Sequence, residues 1–173
     1  MLHRSLVLLL VGMMWSMTAS AGPLEFVSGT MHKIRAHYHG KPYVLVIWSL
    51  DCAYCFDELR ELGDMLKRQP ALPLVLLSVD DISLGNNAAE LLARTGLASL
   101  PAYMFADSFV ERLRYEIDPL WHGELPRNYL VSANGERTAI TGPLGADRLV
   151  RWLSEQSGHE RTASPRYSPA SLL

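Results

Sequence analysis

The stretch LVIWSLDCAYC, at residues 45–55, contains Cys52 and Cys55, which are the two cysteines of the chain. Two residues separate them, and they follow an apolar run at the start of a predicted helix. A cysteine at a helix N-terminus lies near the positive end of the helix dipole and near free N–H donors, and both lower the pKa of its thiol. Cys52 is therefore predicted to be a nucleophile. Cys55, one turn later and facing inward, is placed to attack a mixed disulfide formed on Cys52.

Two other uses of a cysteine pair stay open from the residues alone. A structural disulfide that closes a loop of about four residues contributes only ~2 kcal/mol in the chain-entropy model. A structural zinc site usually takes four ligands, commonly from two such pairs, and this chain has one pair. The spacing and position of the cysteines favour a redox dithiol.

Asp51, the residue before Cys52, has two competing interpretations. Its carboxylate disfavours a second negative charge nearby and would raise the pKa of the Cys52 thiol. As the N-cap of the helix it would instead accept a backbone N–H and stabilise the first turn. Replacement of Asp51 therefore has opposite predicted consequences for the thiolate in the two cases.

The elements around the cysteines are predicted from the apolar pattern. Residues 43–48 (YVLVIW) and 72–79 (LPLVLLSV) are continuous apolar runs, which are typical of strands buried on both faces of a parallel sheet. Between these runs, four residues recur at the spacing of one helix face: Cys55, Leu59, Leu62 and Leu66. Strand, helix and strand form a βαβ unit with a right-handed crossover.

Five further elements follow, and together they predict an α/β fold with a central mixed sheet and flanking helices. The first is a helix that is expected to begin with an asparagine cap. In chain order the five are a helix, a strand, a short helix, an antiparallel hairpin around Asn134-Gly135 and a closing helix, over residues 86–95, 100–106, 108–116, 128–140 and 145–156.

The first 21 residues have the layout of a secretory signal peptide. His3 and Arg4 give a basic start, residues 6–17 are almost wholly apolar, and residues 19–21 (Ala-Ser-Ala) match a cleavage site. A retained membrane anchor is the alternative, but the apolar stretch is shorter than the ~20 residues that span a bilayer. We expect cleavage after Ala21 and export to the periplasm, a compartment that permits disulfides.

The rest of the chain is predicted to form one domain over residues 22–157. Residues 158–173 are polar and rich in proline and serine, and we expect a disordered tail there. The formal net charge of −2 gives no electrostatic case for nucleic acid as a partner.

Two stretches resemble the thioredoxin superfamily, and most of all the exported TlpA/ResA-type thiol–disulfide oxidoreductases. HGKPYVLVIWSLDCAYC is similar to the Gly-Lys-Pro, buried strand and Trp-x-x-x-Cys-x-x-Cys of that family, with Trp48 in the place of the strand-end tryptophan. In GELPRNYLVSANGE, Leu125 and Pro126 match the Val-Pro or Thr-Pro of the family. The resemblance covers residues 24–156. It departs at Asp51, where the family has Trp or Tyr, and at the dipeptide between the cysteines, which lacks proline.

The resemblance implies a thioredoxin-like fold and a thiol–disulfide oxidoreductase that needs no cofactor. Pro126 would be a cis-proline that packs against the disulfide and leaves the backbone of Leu125 free to pair with a substrate. Glu58 coincides with a glutamate linked to proton handling, and a solvated helix glutamate is its alternative interpretation. The implied partners are a disulfide-containing protein substrate and a membrane thiol-electron donor. We expect a monomer, and we favour a reductase because the dipeptide lacks the histidine of strongly oxidising relatives.

A copper-binding metallochaperone with a thioredoxin fold is the alternative function. His122 lies four residues before Pro126, and together with Cys52 and Cys55 it would provide two thiolates and an imidazole for copper. The spacing of two residues between the cysteines counts against this set. Trp48 and Trp121 are expected at the rim of the site, and ordinary core residues are their alternative interpretation.

Overall fold

The structure is a computed structural model that describes residues 22–163, with side chains described as far as Gly158. The predicted signal peptide, residues 1–21, and the last ten residues of the predicted tail lie outside the described residues. One short 3-10 turn spans Ile82–Leu84. The other elements, in chain order, are β1 Leu24–Phe26, α1 Thr30–His37, β2 Tyr43–Trp48, α2 Ala53–Arg68, β3 Leu74–Asp81, α3 Gly85–Arg94, β4 Ala102–Phe105, α4 Val110–Ile117, β5 Arg127–Val131, β6 Arg137–Thr141 and α5 Ala146–Ala163.

The six strands form one mixed sheet in the order β1-β4-β3-β2-β5-β6. The first four strands in this order are parallel to one another, whereas β5 and β6 are antiparallel to their neighbours. The predicted mixed α/β sheet with a C-terminal antiparallel hairpin and closing helix is therefore confirmed. β2 is interior, with β3 parallel on one side and β5 antiparallel on the other.

The core lies on both faces of the sheet, because successive side chains of β2 point to opposite faces. Val44, Val46 and Trp48 belong to the cluster that is covered by α2, α3 and α5. Tyr43, Leu45 and Ile47 belong to the cluster under α1 and α4. All six residues of β2 are buried, as the continuous apolar run predicts.

α2 forms because its apolar residues line one face. The four residues that predicted this helix, Cys55, Leu59, Leu62 and Leu66, are all buried. On the same face Gly63 lies against the end of α3, where an added Cβ would come within 1.7 Å of the carbonyl oxygen of Thr95. A glycine is therefore required at this helix crossing. At the C-terminus, Lys67 and Arg68 lie in the last turn, where positive charge interacts favourably with the helix dipole.

Two sequence predictions about the elements are corrected, and two elements are additional to those predicted. α3 begins at Gly85 with Leu84 at the N-cap position and no side-chain capping bond, so the predicted asparagine cap is wrong. α5 continues to Ala163, beyond the predicted end at Gln156. The boundary between the domain and a disordered tail stays a prediction. β1 and α1 were not predicted.

Within residues 22–163, no helix has the length and apolar composition needed to cross a membrane.

Candidate active site

Cys52 and Cys55 are joined in a disulfide at the start of α2. Cys52 is the N-cap residue, and its sulfur accepts a hydrogen bond from the backbone N–H of Cys55 at 3.2 Å. Cys55 is completely buried, whereas Cys52 is partly exposed. An external thiol or disulfide can therefore reach the sulfur of Cys52 but not that of Cys55.

Asp51 is exposed and does not cap the helix. Its backbone N–H donates to the hydroxyl of Ser49 at 3.2 Å, and the capping position belongs to Cys52. The N-cap interpretation of Asp51 is therefore wrong. The interpretation in which its charge acts on the Cys52 thiol stays a prediction.

Asp80, which the sequence analysis missed, holds the turn that leads into the disulfide. One carboxylate oxygen accepts from the hydroxyl of Ser49 at 2.9 Å, and the other accepts from the backbone N–H of Leu50 at 2.8 Å. The hydroxyl of Ser78 also donates to Asp80, at 2.5 Å. The signal in the sequence is the polar end of an otherwise apolar strand, since the carboxyl ends of the parallel strands β2 and β3 lie side by side.

Glu58 lies one turn after Cys55 and is 2% exposed, so the solvated interpretation of this glutamate is wrong. One carboxylate oxygen accepts from the side-chain amide of Asn128 at 2.8 Å and from the backbone N–H of Leu144 at 2.7 Å. The other oxygen is buried and has no hydrogen-bond partner among the described residues. Burial raises the pKa of Glu58, although the bonds from Leu144 and Asn128 oppose the rise. A buried carboxyl of this kind takes up a proton at a higher pH than an exposed one does.

The Leu125–Pro126 peptide bond is cis. This dipeptide comes directly before β5, whose first residue, Arg127, pairs with Ile47 near the end of β2. The Leu125–Pro126 segment and the turn that carries Cys52 therefore lie at the same end of the neighbouring strands β5 and β2. Leu125 and Cys52 also pack against the same buried cluster. Within the described part of the chain, the backbone N–H and C=O of Leu125 make no hydrogen bond.

The two tryptophans that were expected at the rim of the site are core residues instead. Trp48 is 1% exposed and belongs to the same cluster as Cys55. Trp121 is 4% exposed, and its indole N–H donates to the carbonyl of Glu124 at 3.0 Å. The rim prediction is wrong for both, because their rings fill the interior on the two sides of the sheet.

The copper set of two cysteines and a histidine is not assembled. Among the side chains that the structure describes, which end at Gly158, no three His, Cys, Asp or Glu lie together in a group that could hold a metal ion. His122 is exposed, and the contact recorded for it is the bond from its backbone N–H to the carboxylate of Glu124 at 3.3 Å. The structure, in which the two sulfurs are joined, therefore gives no support to a copper site of Cys52, Cys55 and His122.

The solved structures with the same architecture include proteins described as thiol:disulfide interchange, Dsb or thioredoxin-related proteins. A thiol:disulfide interchange protein of the thioredoxin family from Chlorobium tepidum superposes with a TM-score of 0.54 at 18% identity, over 70% of this chain and 83% of that one. DsbF from MTB gives 0.53 at 17% identity, over 69% and 84%. A thioredoxin-related protein from Neisseria meningitidis serogroup B gives 0.52 at 18% identity, over 68% and 85%.

No protein-family model matches the sequence, and no curated protein matches it either. At these identities the structural likeness establishes the fold alone. The described chain has the thioredoxin fold.

Proposed function

We propose that the protein is a thiol–disulfide oxidoreductase of an exported compartment that acts mainly as a disulfide reductase. The observation that carries this proposal is the pairing of a partly exposed Cys52 with a fully buried Cys55 at the start of α2. A structural disulfide has no need for this asymmetry, whereas a dithiol that exchanges with other proteins needs one accessible and one protected sulfur.

In the reducing direction the Cys52 thiolate attacks one sulfur of a substrate disulfide. The substrate S–S bond breaks, a mixed disulfide forms on Cys52, and the other substrate sulfur leaves as a thiolate that takes up a proton. Cys55 then loses its proton and attacks the sulfur of Cys52. This second exchange releases the remaining substrate thiolate and leaves the Cys52–Cys55 bond, so two electrons pass to the substrate in all.

Glu58 is the proposed acceptor for the proton of Cys55. Its first oxygen is fixed by Asn128 and Leu144, while its second oxygen has no hydrogen-bond partner among the described residues and is left to take the proton. Burial raises the pKa of this carboxyl, which makes the protonated form easier to reach. Glu58 lies within one helical turn of Cys55 on the same helix.

Leu125 is the proposed docking point for the substrate backbone. Its N–H and C=O make no hydrogen bond within residues 22–163, and the segment leaves the sheet beside the Cys52 turn. An extended substrate can therefore pair with Leu125 while its disulfide reaches Cys52. Afterwards an external dithiol must reduce the Cys52–Cys55 bond again, and by resemblance this donor is a membrane thiol-electron donor.

The activity is tested by the reduction of insulin disulfides with the protein held reduced by dithiothreitol. We expect turnover above the rate of dithiothreitol alone, loss of that excess in Cys52→Ser, and a trapped mixed disulfide on Cys52 in Cys55→Ser. Absence of any excess rate in the wild-type protein would exclude the proposal. The direction is tested by the reduction potential of the pair, for which about −270 mV fits a reductase and about −120 mV fits an oxidant.

Export is tested by the first residue of the protein recovered from a bacterial periplasmic fraction. Cleavage after Ala21 makes Gly22 the first residue. Recovery of the uncleaved chain with the membrane fraction would favour the retained anchor.

A further inference from the structure

A cavity lies far from the disulfide, on the sheet face that carries α1 and α4. Its volume is about 380 Å³, and Tyr43 and Val131, which pair at the opposite end of β2 from Cys52, both line it. Small-molecule sites span about 300–1,000 Å³, so the cavity is large enough for a ligand. At ~3.3 Å per strand residue, Tyr43 lies roughly 17 Å along β2 from Trp48, which precedes the disulfide turn.

The charge in this cavity is positive. Arg35 and Arg137 line it, and none of its described lining residues is an aspartate or glutamate. Arg137 donates to one carboxylate, that of Asp118, at 3.4 Å, but Asp118 also pairs with Arg127 at 3.3 Å. Arg35 pairs with no described carboxylate. Of the two arginines that line the cavity, Arg35 therefore has no described carboxylate partner and Arg137 shares its partner with Arg127.

Both arginines that line the cavity are held in place by backbone carbonyls at the end of α4. Arg35 donates through Nη2 to the carbonyls of Glu116 and Ile117, at 3.2 and 3.0 Å, and Arg137 donates through Nη1 to Ile117 at 2.6 Å. No described residue accepts from Nε or Nη1 of Arg35. Positioned guanidinium groups with unused N–H donors are suited to bind a planar anion.

The walls of the cavity are apolar and aromatic. Tyr38 stacks on Tyr43, with ring centroids 4.5 Å apart and an interplanar angle of 27°. Met31, Leu45 and Ile117 complete the apolar lining. The phenol pKa of Tyr43 is raised mainly by burial, and the nearby charges of Arg35 and Arg137 oppose that rise. The ring and the two guanidinium groups therefore border the same enclosed space.

We propose that this cavity binds a small apolar carboxylate, such as an aryl or medium-chain alkyl acid. The carboxylate group is held by Arg35 and Arg137, and the apolar body lies between Tyr38, Tyr43 and the aliphatic side chains. A neutral apolar molecule would leave the guanidinium donors unsatisfied, and a highly charged anion would leave the aromatic wall exposed. Two guanidinium groups beside an apolar wall therefore favour a ligand with one negative charge and an apolar body. This site does not depend on the dithiol.

The proposal is tested by titrating the oxidised full-length protein with 3-phenylpropionate and with its neutral analogue, 3-phenylpropanamide. We expect saturable binding of the acid, with amide chemical-shift changes centred on Tyr43, Val131 and Ala133, and at least tenfold weaker binding of the analogue. Equal affinity for the two compounds, shift changes confined to another surface, or no saturable binding of the acid would each overturn it.

Charge-neutral variants give the second arm of the experiment. Arg35→Gln and Arg137→Gln are each expected to weaken acid binding at least tenfold, while Arg60→Gln, an exposed arginine of α2 that pairs with Asp57, leaves it unchanged. Unchanged affinity in both cavity variants would refute the site. If a variant unfolds, the comparison of acid and amide on the wild-type protein decides.

A double variant separates this site from the proposed redox activity. Cys52→Ser combined with Cys55→Ser is expected to bind 3-phenylpropionate as the wild-type protein does while it loses disulfide reduction. Loss of acid binding in this double variant, with its fold intact by circular dichroism, would contradict a site that is independent of the disulfide.

Discussion

The charge of Asp51 beside the accessible sulfur is expected to weaken the nucleophile. Asp51 is exposed and does not cap α2, so its remaining effect on Cys52 is electrostatic. In Asp51→Asn we expect the pKa of the Cys52 thiol to fall by less than one unit, because solvent and salt screen an exposed charge. The measurement is the pH dependence of alkylation by iodoacetamide in a Cys55→Ser background.

The matched control for this prediction is Asp64→Asn, an exposed aspartate farther along α2 that pairs with Lys67 at 2.8 Å. It should leave the alkylation profile unchanged. An unchanged or raised Cys52 pKa in Asp51→Asn would show that the carboxylate does not act through its charge.

Glu58 should make the stability of the protein fall as the pH rises. Its folded-state pKa is raised above 4.5 by burial, so the protonated form favours the folded state. That stability is fully present below the unfolded pKa and is lost as the pH rises through the folded pKa. Wild type should therefore lose stability relative to Glu58→Gln over this window, by ~1.4 kcal/mol for each unit between the two pKa values.

Urea unfolding of both oxidised proteins between pH 4 and pH 8 measures this difference. Glu90→Gln, which changes an exposed glutamate of α3, is the control and should follow the wild-type curve. Parallel wild-type and Glu58→Gln stability curves across the whole range would rule out a raised pKa.

The sequence predicts those parts of the site that depend on the spacing of residues within one short segment. Cys52 and Cys55 are predicted by their spacing and by the apolar pattern of the helix that follows them. The burial of Glu58 is not predicted, because its partners Asn128 and Leu144 are far away in the chain. Asp80 was missed for the same reason, since only the pairing of β2 with β3 brings it to the disulfide turn.

The contrast between α1 and α2 shows which secondary-structure elements the apolar pattern of the sequence can predict. α2 has a long apolar face and was predicted, whereas α1 is eight residues long and buries only Thr30, Met31 and Ile34. β1 has three residues, too few to show a period, and its place depends on parallel pairing with β4. Both elements depend on tertiary contacts more than on their own sequence.

The contact of α2 with the end of α3 predicts the effect of replacing Gly63 by alanine. Here we expect a steric clash to outweigh the higher helix propensity of alanine. Alanine is favoured over glycine inside a helix by ~1 kcal/mol. An added Cβ on Gly63 would lie 1.7 Å from the carbonyl oxygen of Thr95, a backbone atom that cannot rotate away. We expect Gly63→Ala to destabilise the protein by about 2 kcal/mol, since overpacking of a core typically costs ~1–3 kcal/mol.

Thermal unfolding measures the effect of Gly63→Ala, and Gly85→Ala at the start of α3 is its control. Gly85 has helical φ and ψ, and its Cβ would meet no atom within 4 Å, so that variant should be neutral or slightly stabilising. Stability of Gly63→Ala equal to or above that of Gly85→Ala would contradict the close approach of the two helices.

At the scale of the whole molecule, Asp118 joins the end of α4 to the C-terminal hairpin. Its carboxylate accepts from the hydroxyl of Tyr129 at 2.9 Å and pairs with Arg127 and Arg137. Burial opposes ionisation, but the N–H of Leu120, the Tyr129 hydroxyl and the two arginines together lower the pKa of Asp118. The charged carboxylate thus stabilises the folded state.

Removal of this charge should be costly at neutral pH. We expect Asp118→Asn to lower the free energy of unfolding at pH 7 by about 2 kcal/mol, less than the ~3–5 kcal/mol of a fully buried pair, because Arg137 is partly exposed. Since the folded pKa is depressed, the contribution is present above the unfolded value of 3.8 and is lost as the pH falls through the folded pKa.

Urea unfolding at pH 7 and pH 3 checks this prediction, with Asp57→Asn in the exposed Asp57–Arg60 pair as the control. The gap between wild type and Asp118→Asn should narrow at the lower pH, and the control should differ from wild type by under ~0.5 kcal/mol at both. A larger difference in the free energy of unfolding at pH 3 than at pH 7 would show that the pKa of Asp118 is not lowered.

β2 has a hydrogen-bonded neighbour along each edge, and it ends four residues before Cys52. Because both edges of β2 are hydrogen-bonded, we expect its backbone amides to be protected from hydrogen–deuterium exchange. Their exchange should be among the slowest in the protein, in the disulfide form and in the dithiol form. Reduction of the disulfide would then change the amide exchange rates in the first turn of α2 but not those in β2. The bond between the two sulfurs can therefore form and break while the strand that supports them keeps its hydrogen bonds to both neighbours.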